Sequence, residues 1–204
     1  MRLSILAVAA VSAVLWLGCG DGGNPGGGGG GSLETVPLGG LKWMTKNLDV
    51  KTADSWCYEN SPDSCAKYGR LYTWEAAKTA CQLVGKRLPT FAEWNALVAE
   101  AGGINIAGNK LKSKSGWKSY IGISNTDDFG FSALPGGRRL PDGADDAFHD
   151  AGNYGYWWTA TETDNIYYTD GYYAYSRLMD YNNNDVYLYY YEKGYGQSVR
   201  CVSN

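Results

Sequence analysis

The sequence has little of what many enzymes and nucleic-acid-binding proteins use. It contains one histidine, His149, and neither a G-x-S-x-G nor an H-E-x-x-H segment, so a nucleophile has few candidate bases. Its 18 Lys and Arg stand against 21 Asp and Glu, a net charge of −3, which leaves no basic stripe to neutralise phosphates. No C-x-x-C or C-x-x-x-H spacing occurs, which disfavours a zinc site. We therefore expect neither an enzyme nor a nucleic-acid partner.

Long apolar runs are also absent, apart from one at the amino terminus. Arg2 precedes a mostly apolar stretch, residues 3–17, that Ser4 and Ser12 interrupt and that is too short to span a bilayer comfortably. This pattern is typical of an export signal. It ends in Gly18-Cys19, which resembles the lipobox of bacterial lipoproteins, although Trp16 stands where Leu is usual. Ordinary cleavage near Gly18 or Gly20 is the alternative.

The residues that follow predict a tether and then a folded domain. Between residues 20 and 32, nine of the thirteen residues are glycine, a composition that cannot bury apolar surface and stays flexible. We predict a signal peptide at 1–18, a lipidated Cys19 with a glycine-rich tether at 19–37, and one domain at 38–204. The expected location is the cell envelope, anchored to a membrane by the lipid, at the outer membrane or cell surface.

The cysteine count agrees with this division. The chain has five cysteines, and setting Cys19 aside leaves an even set in a compartment where disulfides persist. Four cysteines allow three pairings. The set is Cys57, Cys65, Cys81 and Cys201.

Two helices are clearly predicted in the first half of the domain. Thr90 and Glu93 form a capping box, and the helix that follows buries an apolar stripe before Gly102 and Gly103 end it. The preceding helix begins after Thr73 and ends at Gly85. The two stripes consist of Trp94, Leu97, Val98 and Ala101, and of Ala77, Ala80, Cys81 and Val84.

The remainder predicts strands and loops. We expect strands within 41–48, 129–134, 156–161, 172–179, 186–191 and 198–202. Residues 54–68 are expected to form a disulfide-pinned loop, and 108–122 to be rich in turns. This order indicates an α+β domain, with two short helices on a mostly antiparallel sheet and long loops.

Five segments give the domain a family resemblance. They are YGRLYTWEAA at 68–77, RLPT at 87–90 followed by Glu93 and Trp94, GFSALPGG at 130–137, GYWWTATE at 155–162 and SVRCV at 198–202. In this order they closely resemble the Fibrobacter succinogenes major paralogous domain, a family of secreted bacterial proteins. The resemblance covers residues 38–204. Two of the segments are also similar to C-type-lectin-like folds, a group that includes the sulfatase-modifying enzymes.

The resemblance implies a C-type-lectin-like fold and a disulfide pairing. In such folds a helix near the start is bridged to the final strand, which implies Cys81 with Cys201 and leaves Cys57 with Cys65. Sulfatase-modifying enzymes rely on reactive cysteines late in the chain. A disulfide-bonded Cys201 cannot act as a thiolate, which disfavours that activity here.

The aromatic residues supply the candidate ligand contacts. The chain has 17 Tyr and 8 Trp against 4 Phe, and such amphipathic rings suit surfaces that stack on sugars. The candidates are Trp157, Trp158, Tyr173, Tyr175 and Tyr189. Burial in the core is the alternative for each ring, and of the adjacent tryptophans we expect one to be buried and the other to face the opposite side.

Oxygen-bearing side chains in two loops are candidate Ca²⁺ ligands. The set is Asp142, Asp145 and Asp146 with Asn184 and Asp185, and hard oxygen ligands are those that Ca²⁺ prefers. The alternative is that these residues cap solvated turns. We expect His149 to be a hydrogen-bonded loop residue, and no other cofactor.

These observations predict a lipid-anchored, extracytoplasmic binding or adhesion module for carbohydrate, another surface polymer or a surface protein. Two alternatives remain open. One is a sulfatase-modifying type of enzyme, which the expected pairing of Cys201 and the missing histidine partner disfavour. The other is a structural envelope protein without a small ligand.

Overall fold

The structure is a computed structural model that describes residues 33–141, 147–163 and 171–204. The helices are α1 (Pro62–Tyr68), α2 (Trp74–Leu83), α3 (Phe91–Glu100) and α4 (Ala107–Leu111). The strands are β1 (Thr35–Leu38), β2 (Leu41–Met44), β3 (Ser55–Trp56), β4 (Leu71–Tyr72), β5 (Arg138–Arg139), β6 (Phe148–His149), β7 (Tyr154–Glu162), β8 (Tyr173–Asp180), β9 (Val186–Glu192) and β10 (Val202–Ser203).

The two helices predicted from the sequence are confirmed, together with their caps. The Thr73 hydroxyl accepts a hydrogen bond from the backbone N–H of Ala76 at the start of α2. At the start of α3, Thr90 and Glu93 form the complete capping box. The apolar stripe of α3 is buried as expected, with Trp94 and Leu97 fully inaccessible.

The strands form several small antiparallel sheets, which confirms a mixed α+β architecture. One sheet has the order β1-β2-β10, so the two ends of the domain lie on either side of β2. The longest strands form a second sheet in the order β7-β8-β9. Short pairs, β3 with β4 and β5 with β6, complete the set among the described residues.

Strand β7 separates two hydrophobic clusters. Trp157 packs in one cluster with Trp43, Trp94 and Phe131, whereas Trp158 packs in the other with residues of α2. Adjacent residues of a strand point to opposite faces, and both faces of β7 are covered here. Both tryptophans are therefore fully buried. The expectation that only one of them would be buried is wrong.

Both disulfides implied by the resemblance are present. Cys57 is bonded to Cys65, eight residues away. Cys81 of α2 is bonded to Cys201, 120 residues away. The second bond ties α2 to the last segment of the chain, next to β10.

Several local expectations are wrong. Residues 54–68 contain β3, a 3₁₀ turn (Tyr58–Asn60) and α1, which has Pro62 in its first turn, a known start signal. Residues 107–111 form α4 rather than turns. His149 lies in β6, where its backbone pairs with Arg138, and not in a loop.

Two predicted strands do not form as such. In residues 129–134, Ser132 has a φ of 51°, held by hydrogen bonds that its N–H and hydroxyl donate to Asp127. Residues 198–202 are hydrogen-bonded to several neighbours in turn, including Tyr156 and Arg87. Because no single strand runs beside that segment, only Val202–Ser203 forms a ladder.

No helix in the described part of the chain is long and apolar enough to cross a membrane. The predicted signal peptide, Cys19 and residues 20–32 of the predicted tether lie outside the described residues, as does most of the predicted Ca²⁺ loop. The end of the predicted tether is wrong, because residues 35–37 already belong to β1 and pair with β2.

Candidate functional site

The predicted ligand contacts Trp157 and Trp158 are core residues. Both are 0 % exposed, and their indole N–H groups donate to buried acceptors. Trp157 Nε1 lies 2.9 Å from Asn47 Oδ1, and Trp158 Nε1 lies 2.8 Å from the carbonyl oxygen of Tyr72. Their burial contradicts the prediction that they contact a ligand, because β7 is packed on both faces at these two positions.

The three predicted tyrosines do not share one surface. Tyr175 is half-buried and stacks on Phe91 at a centroid distance of 5.2 Å, and Tyr173 points to the same face of β8. Tyr189 pairs with Ser176 and therefore points to the opposite face, where it is 49 % exposed. Only Tyr189 thus belongs to the surface described next.

A row of tyrosines covers one face of the β7-β8-β9 sheet, and we call it the tyrosine face. Alternate residues of β9 contribute to it because side chains of a strand alternate between faces. The register places Leu178 between Tyr156 on β7 and Tyr187 on β9. The set is Tyr154, Tyr156, Tyr187, Tyr189, Tyr191 and Tyr195.

The rings of this set form a continuous chain of contacts. Tyr191 is its centre, with centroids 5.7 Å from Tyr156, 6.3 Å from Tyr189 and 5.3 Å from Tyr195. The centroid of the Tyr187 ring lies 6.3 Å from that of Tyr189. The centroid of the Tyr154 ring lies 6.1 Å from that of Tyr156. Aromatic centroids 4.5–7 Å apart stabilise one another, so the face is held in place before any ligand arrives.

Arg138 lies among these rings and fixes three of them. Its guanidinium carbon lies 5.1 Å from the ring centroid of Tyr156, 5.6 Å from that of Tyr191 and 5.9 Å from that of Tyr195. Its Nε lies 3.3 Å from Asp150 Oδ2, an oxygen that also accepts a hydrogen bond from the Tyr156 hydroxyl at 2.8 Å. Arg138 on β5 and the carboxylate of Asp150 thus hold the rings at the centre of the tyrosine face in place.

The phenol groups of Tyr156, Tyr187 and Tyr191 have raised pKa values and stay protonated at neutral pH. Burial raises the pKa of Tyr187 to about 12, and a hydrogen bond with Asp185 adds to the effect. Burial is also the main cause of the raised pKa of Tyr156 and of Tyr191, while nearby Arg138 opposes it. Each hydroxyl can therefore both donate and accept hydrogen bonds.

The exposure of each ring decides whether a ligand can contact it. Tyr156 is 3 % exposed and forms the floor, whereas Tyr187, Tyr191 and Tyr195 are half-buried and Tyr189 is exposed. Flat rings with polar rims can stack on the apolar face of a sugar and hydrogen-bond its hydroxyls.

Part of this surface was not predicted. The alternation of Tyr187, Tyr189 and Tyr191 is a sequence signal that selects one face of β9. Arg138, Tyr154 and Tyr195 come from other segments, and no local pattern indicates that they meet there.

The described part of the Ca²⁺ prediction consists of Asn184 and Asp185 in the turn between β8 and β9. Asp185 N–H donates to Asn183 Oδ1 at 2.9 Å, and the carbonyl oxygen of Asn184 accepts from Gly108 N–H at 2.8 Å. Among the described residues, no three His, Cys, Asp or Glu side chains are grouped so as to hold a metal ion. A Ca²⁺ site that uses Asp142, Asp145 and Asp146 stays a prediction.

A separate polar cleft of about 520 Å³ lies between residues 45–49, the end of α1 and residues 130–134. Its wall carries charges of both signs, from Lys46 and Lys67 and from Glu34 and Asp49. Burial raises the pKa of Asp49, and Arg70 opposes this shift. Cys65 also lines the cleft and is held in a disulfide.

The fold and these surfaces define a class: a small α+β domain stapled by two disulfides, with an aromatic face on its largest sheet. The chain belongs to the Fibrobacter succinogenes major domain family, whose model matches residues 36–203. A comparison with curated proteins found no match.

Proposed function

We propose that the protein is an extracytoplasmic binding module, held at the membrane by a lipid on Cys19, that binds carbohydrate or another surface polymer on the tyrosine face. The observation that carries the proposal is the continuous row of tyrosine rings around Arg138. Contiguous apolar surface that stays accessible on a folded domain marks a candidate interaction site.

We also propose that the fold is C-type-lectin-like. Two features support this: β2 lies between β1 and β10, which brings the ends of the domain together, and a disulfide links α2 to the segment before β10. In this arrangement the ends of the domain meet on one sheet, while the tyrosine face belongs to the other.

Truncation of the exposed ring tests the binding proposal. The residues 33–204 are produced with disulfides formed, and retention is measured by native gel electrophoresis in xylan, xyloglucan and mannan and by pull-down with cellulose and peptidoglycan. For a polymer that the wild type binds, we expect Tyr189→Ala to weaken binding about tenfold, a loss of roughly 1.4 kcal/mol.

Tyr190→Ala is the matched control, because Tyr190 lies on the same strand, is also exposed and points to the other face. We expect it to bind like the wild type. Equal losses in both variants, or no retention of the wild type by any of the polymers, would overturn the proposal.

A further inference from the structure

A small pocket opens beside the tyrosine face. Its volume is about 220 Å³, below the roughly 300–1,000 Å³ of pockets for drug-sized ligands, so it suits one sugar ring. Most of its wall comes from residues 114–125, and Tyr181 closes it. This stretch has no regular secondary structure, and long irregular loops in small domains are often functional.

Hydrogen bonds to the start of β7 hold the pocket in place. Lys118 N–H donates to the carbonyl oxygen of Gly152 at 2.8 Å, and Tyr181 N–H donates to that of Asn153 at 2.9 Å. Tyr181 directly follows Asp180, which pairs with Tyr154 of the tyrosine face. The pocket is therefore adjacent to one end of that face.

The wall combines aromatic rings with positive charge. Tyr120 meets Tyr181 edge to face at 5.8 Å, and Lys118 Nζ lies 4.9 Å from the centroid of the Tyr181 ring. Trp117 adds a third ring and is held by a 2.9 Å hydrogen bond from its Nε1 to the carbonyl oxygen of Ala133. Lys114 is the second lysine that lines the pocket.

Within the described ranges, no acidic side chain balances these two lysines. The pocket lining contains no Asp or Glu, and neither Lys114 nor Lys118 forms an ion pair with a described carboxylate. The neighbouring Asp180 and Asp185 instead act on the buried Lys112, which donates to the carbonyl oxygens of Asp180 and Asn183.

Asn125 also lines the pocket. Its side-chain oxygen Oδ1 is buried and has no hydrogen-bond donor among the described residues. Buried acceptors are normally satisfied, and a hydroxyl that enters the pocket is a suitable donor.

We propose that this pocket binds the negatively charged group of an acidic sugar, so that the ligand of the adjacent tyrosine face is an acidic polysaccharide. The two ammonium groups pair with the anion, the rings flank the sugar, and Asn125 accepts from a hydroxyl. The inference rests on the proposed function, because it names the ligand class of the same surface.

The test compares acidic polymers with matched neutral ones at low and physiological salt. The probes are polygalacturonate against its methyl ester, for the carboxylate, and dextran sulfate against dextran, for the sulfate. We expect the wild type to bind at least one acidic polymer more tightly than its neutral match, with binding that weakens as salt rises. The double variant Lys114→Gln/Lys118→Gln should lose about tenfold in affinity for that polymer and most of the salt dependence.

The matched control is Lys46→Gln/Lys67→Gln, which removes two exposed lysines from the polar cleft and changes the net charge equally. We expect it to retain the wild-type affinity. Similar losses of affinity in both double variants would show that only the net charge matters and would overturn the inference. Equal binding of acidic and neutral polymers by the wild type would also overturn it.

The Tyr189→Ala variant separates this inference from the proposed function. If the lysine variant loses binding and Tyr189→Ala does not, the proposal for the pocket is supported and the proposal for the tyrosine face is contradicted. If Tyr189→Ala loses binding and the lysine variant does not, the proposal for the tyrosine face is supported and the proposal for the pocket is contradicted. If neither variant loses binding, both proposals fail.

Discussion

Two buried arginines differ sharply in their surroundings. The side chain of Arg200 is fully buried and donates to Asn47 Oδ1 at 2.7 Å and to the carbonyl oxygens of Met44, Phe131 and Ser132. Burial lowers its pKa to about 9, but the oxygen dipoles around it stabilise the charge. Arg200 thereby links β2, the 131–132 segment and the end of the chain.

Arg177 is almost as buried, at 2 % exposed, but has far fewer partners. Its Nη2 donates to Asn95 Oδ1, its Nε has no acceptor in the described part of the chain, and its guanidinium lies 5.1 Å from the centroid of the Phe91 ring. Burial lowers its pKa to about 10, with no opposing carboxylate. A buried charge without a counter-ion destabilises the folded state.

Replacement of each arginine by methionine should therefore have opposite consequences. We expect Arg200→Met to lower the free energy of unfolding by about 3–5 kcal/mol, because several buried oxygens lose their donor. Arg177→Met should leave stability unchanged or raise it by about 1 kcal/mol or more, since Asn95 is exposed and can bond to water. Urea unfolding at pH 7 measures both, and a larger loss for Arg177→Met would contradict this account.

At the scale of a single element, the start of α3 depends on Glu93. Its Oε2 accepts from the backbone N–H of Thr90 at 2.8 Å, and Arg87 donates to both carboxylate oxygens, at 2.7 and 2.6 Å. The hydrogen bonds from Arg87 are the main cause of the lowered pKa of Glu93. One carboxylate thus caps α3 and fixes the segment that leads into it.

This shift predicts a pH-dependent contribution to stability. Because the pKa of Glu93 is lower in the folded state, the stabilisation is complete above the ordinary value near 4.5 and is lost as the pH falls through the lowered pKa. Glu93→Gln should cost about 1 kcal/mol at pH 7 and little at pH 3. Urea unfolding from pH 3 to pH 7 measures the difference between the two proteins. A difference that does not change with pH would show that Glu93 acts through packing alone.

At the scale of the whole molecule, the disulfides differ in how much of the chain they constrain. The Cys81–Cys201 bond closes a loop of 120 residues, whereas the Cys57–Cys65 bond closes one of 8. In the chain-entropy model a longer loop gives greater stabilisation, about 5 kcal/mol for the first bond and about 2.5 kcal/mol for the second. We expect the Cys81→Ala/Cys201→Ala variant to be the less stable of the two double variants in thermal unfolding. Equal losses would mean that strain or residual structure outweighs loop length.

Membrane attachment is a second prediction for the whole chain. Expressed in a bacterial host that processes lipoproteins, the protein should appear in the membrane fraction as a chain that begins at an acylated Cys19 and contains two disulfides. Intact mass, measured with and without reductant, detects both features. Cys19→Ser should abolish the lipid mass, and an unacylated wild-type chain would refute the anchor.

The sequence by itself determined the features that local chemistry specifies. The caps at Thr73 and Thr90 and the buried stripe of α3 each depend on residues a few positions apart, and the structure confirms them. The even number of domain cysteines predicted two disulfides, and the family resemblance selected their pairing. These signals are readable because backbone hydrogen bonds and side-chain periodicity act over one or two turns of chain.

Only the tertiary structure decided which surfaces remain exposed. Trp157 and Trp158 alternate as expected, but both are buried because α2 and α3 cover opposite faces of β7. Arg138 reaches Tyr156 and Tyr191 from a segment that carries no signal for the contact. The exposure of a side chain depends on packing between segments that are far apart in the sequence. Burial of apolar surface is not directional and follows no repeat along the chain, so a local sequence pattern does not predict which side chains are covered.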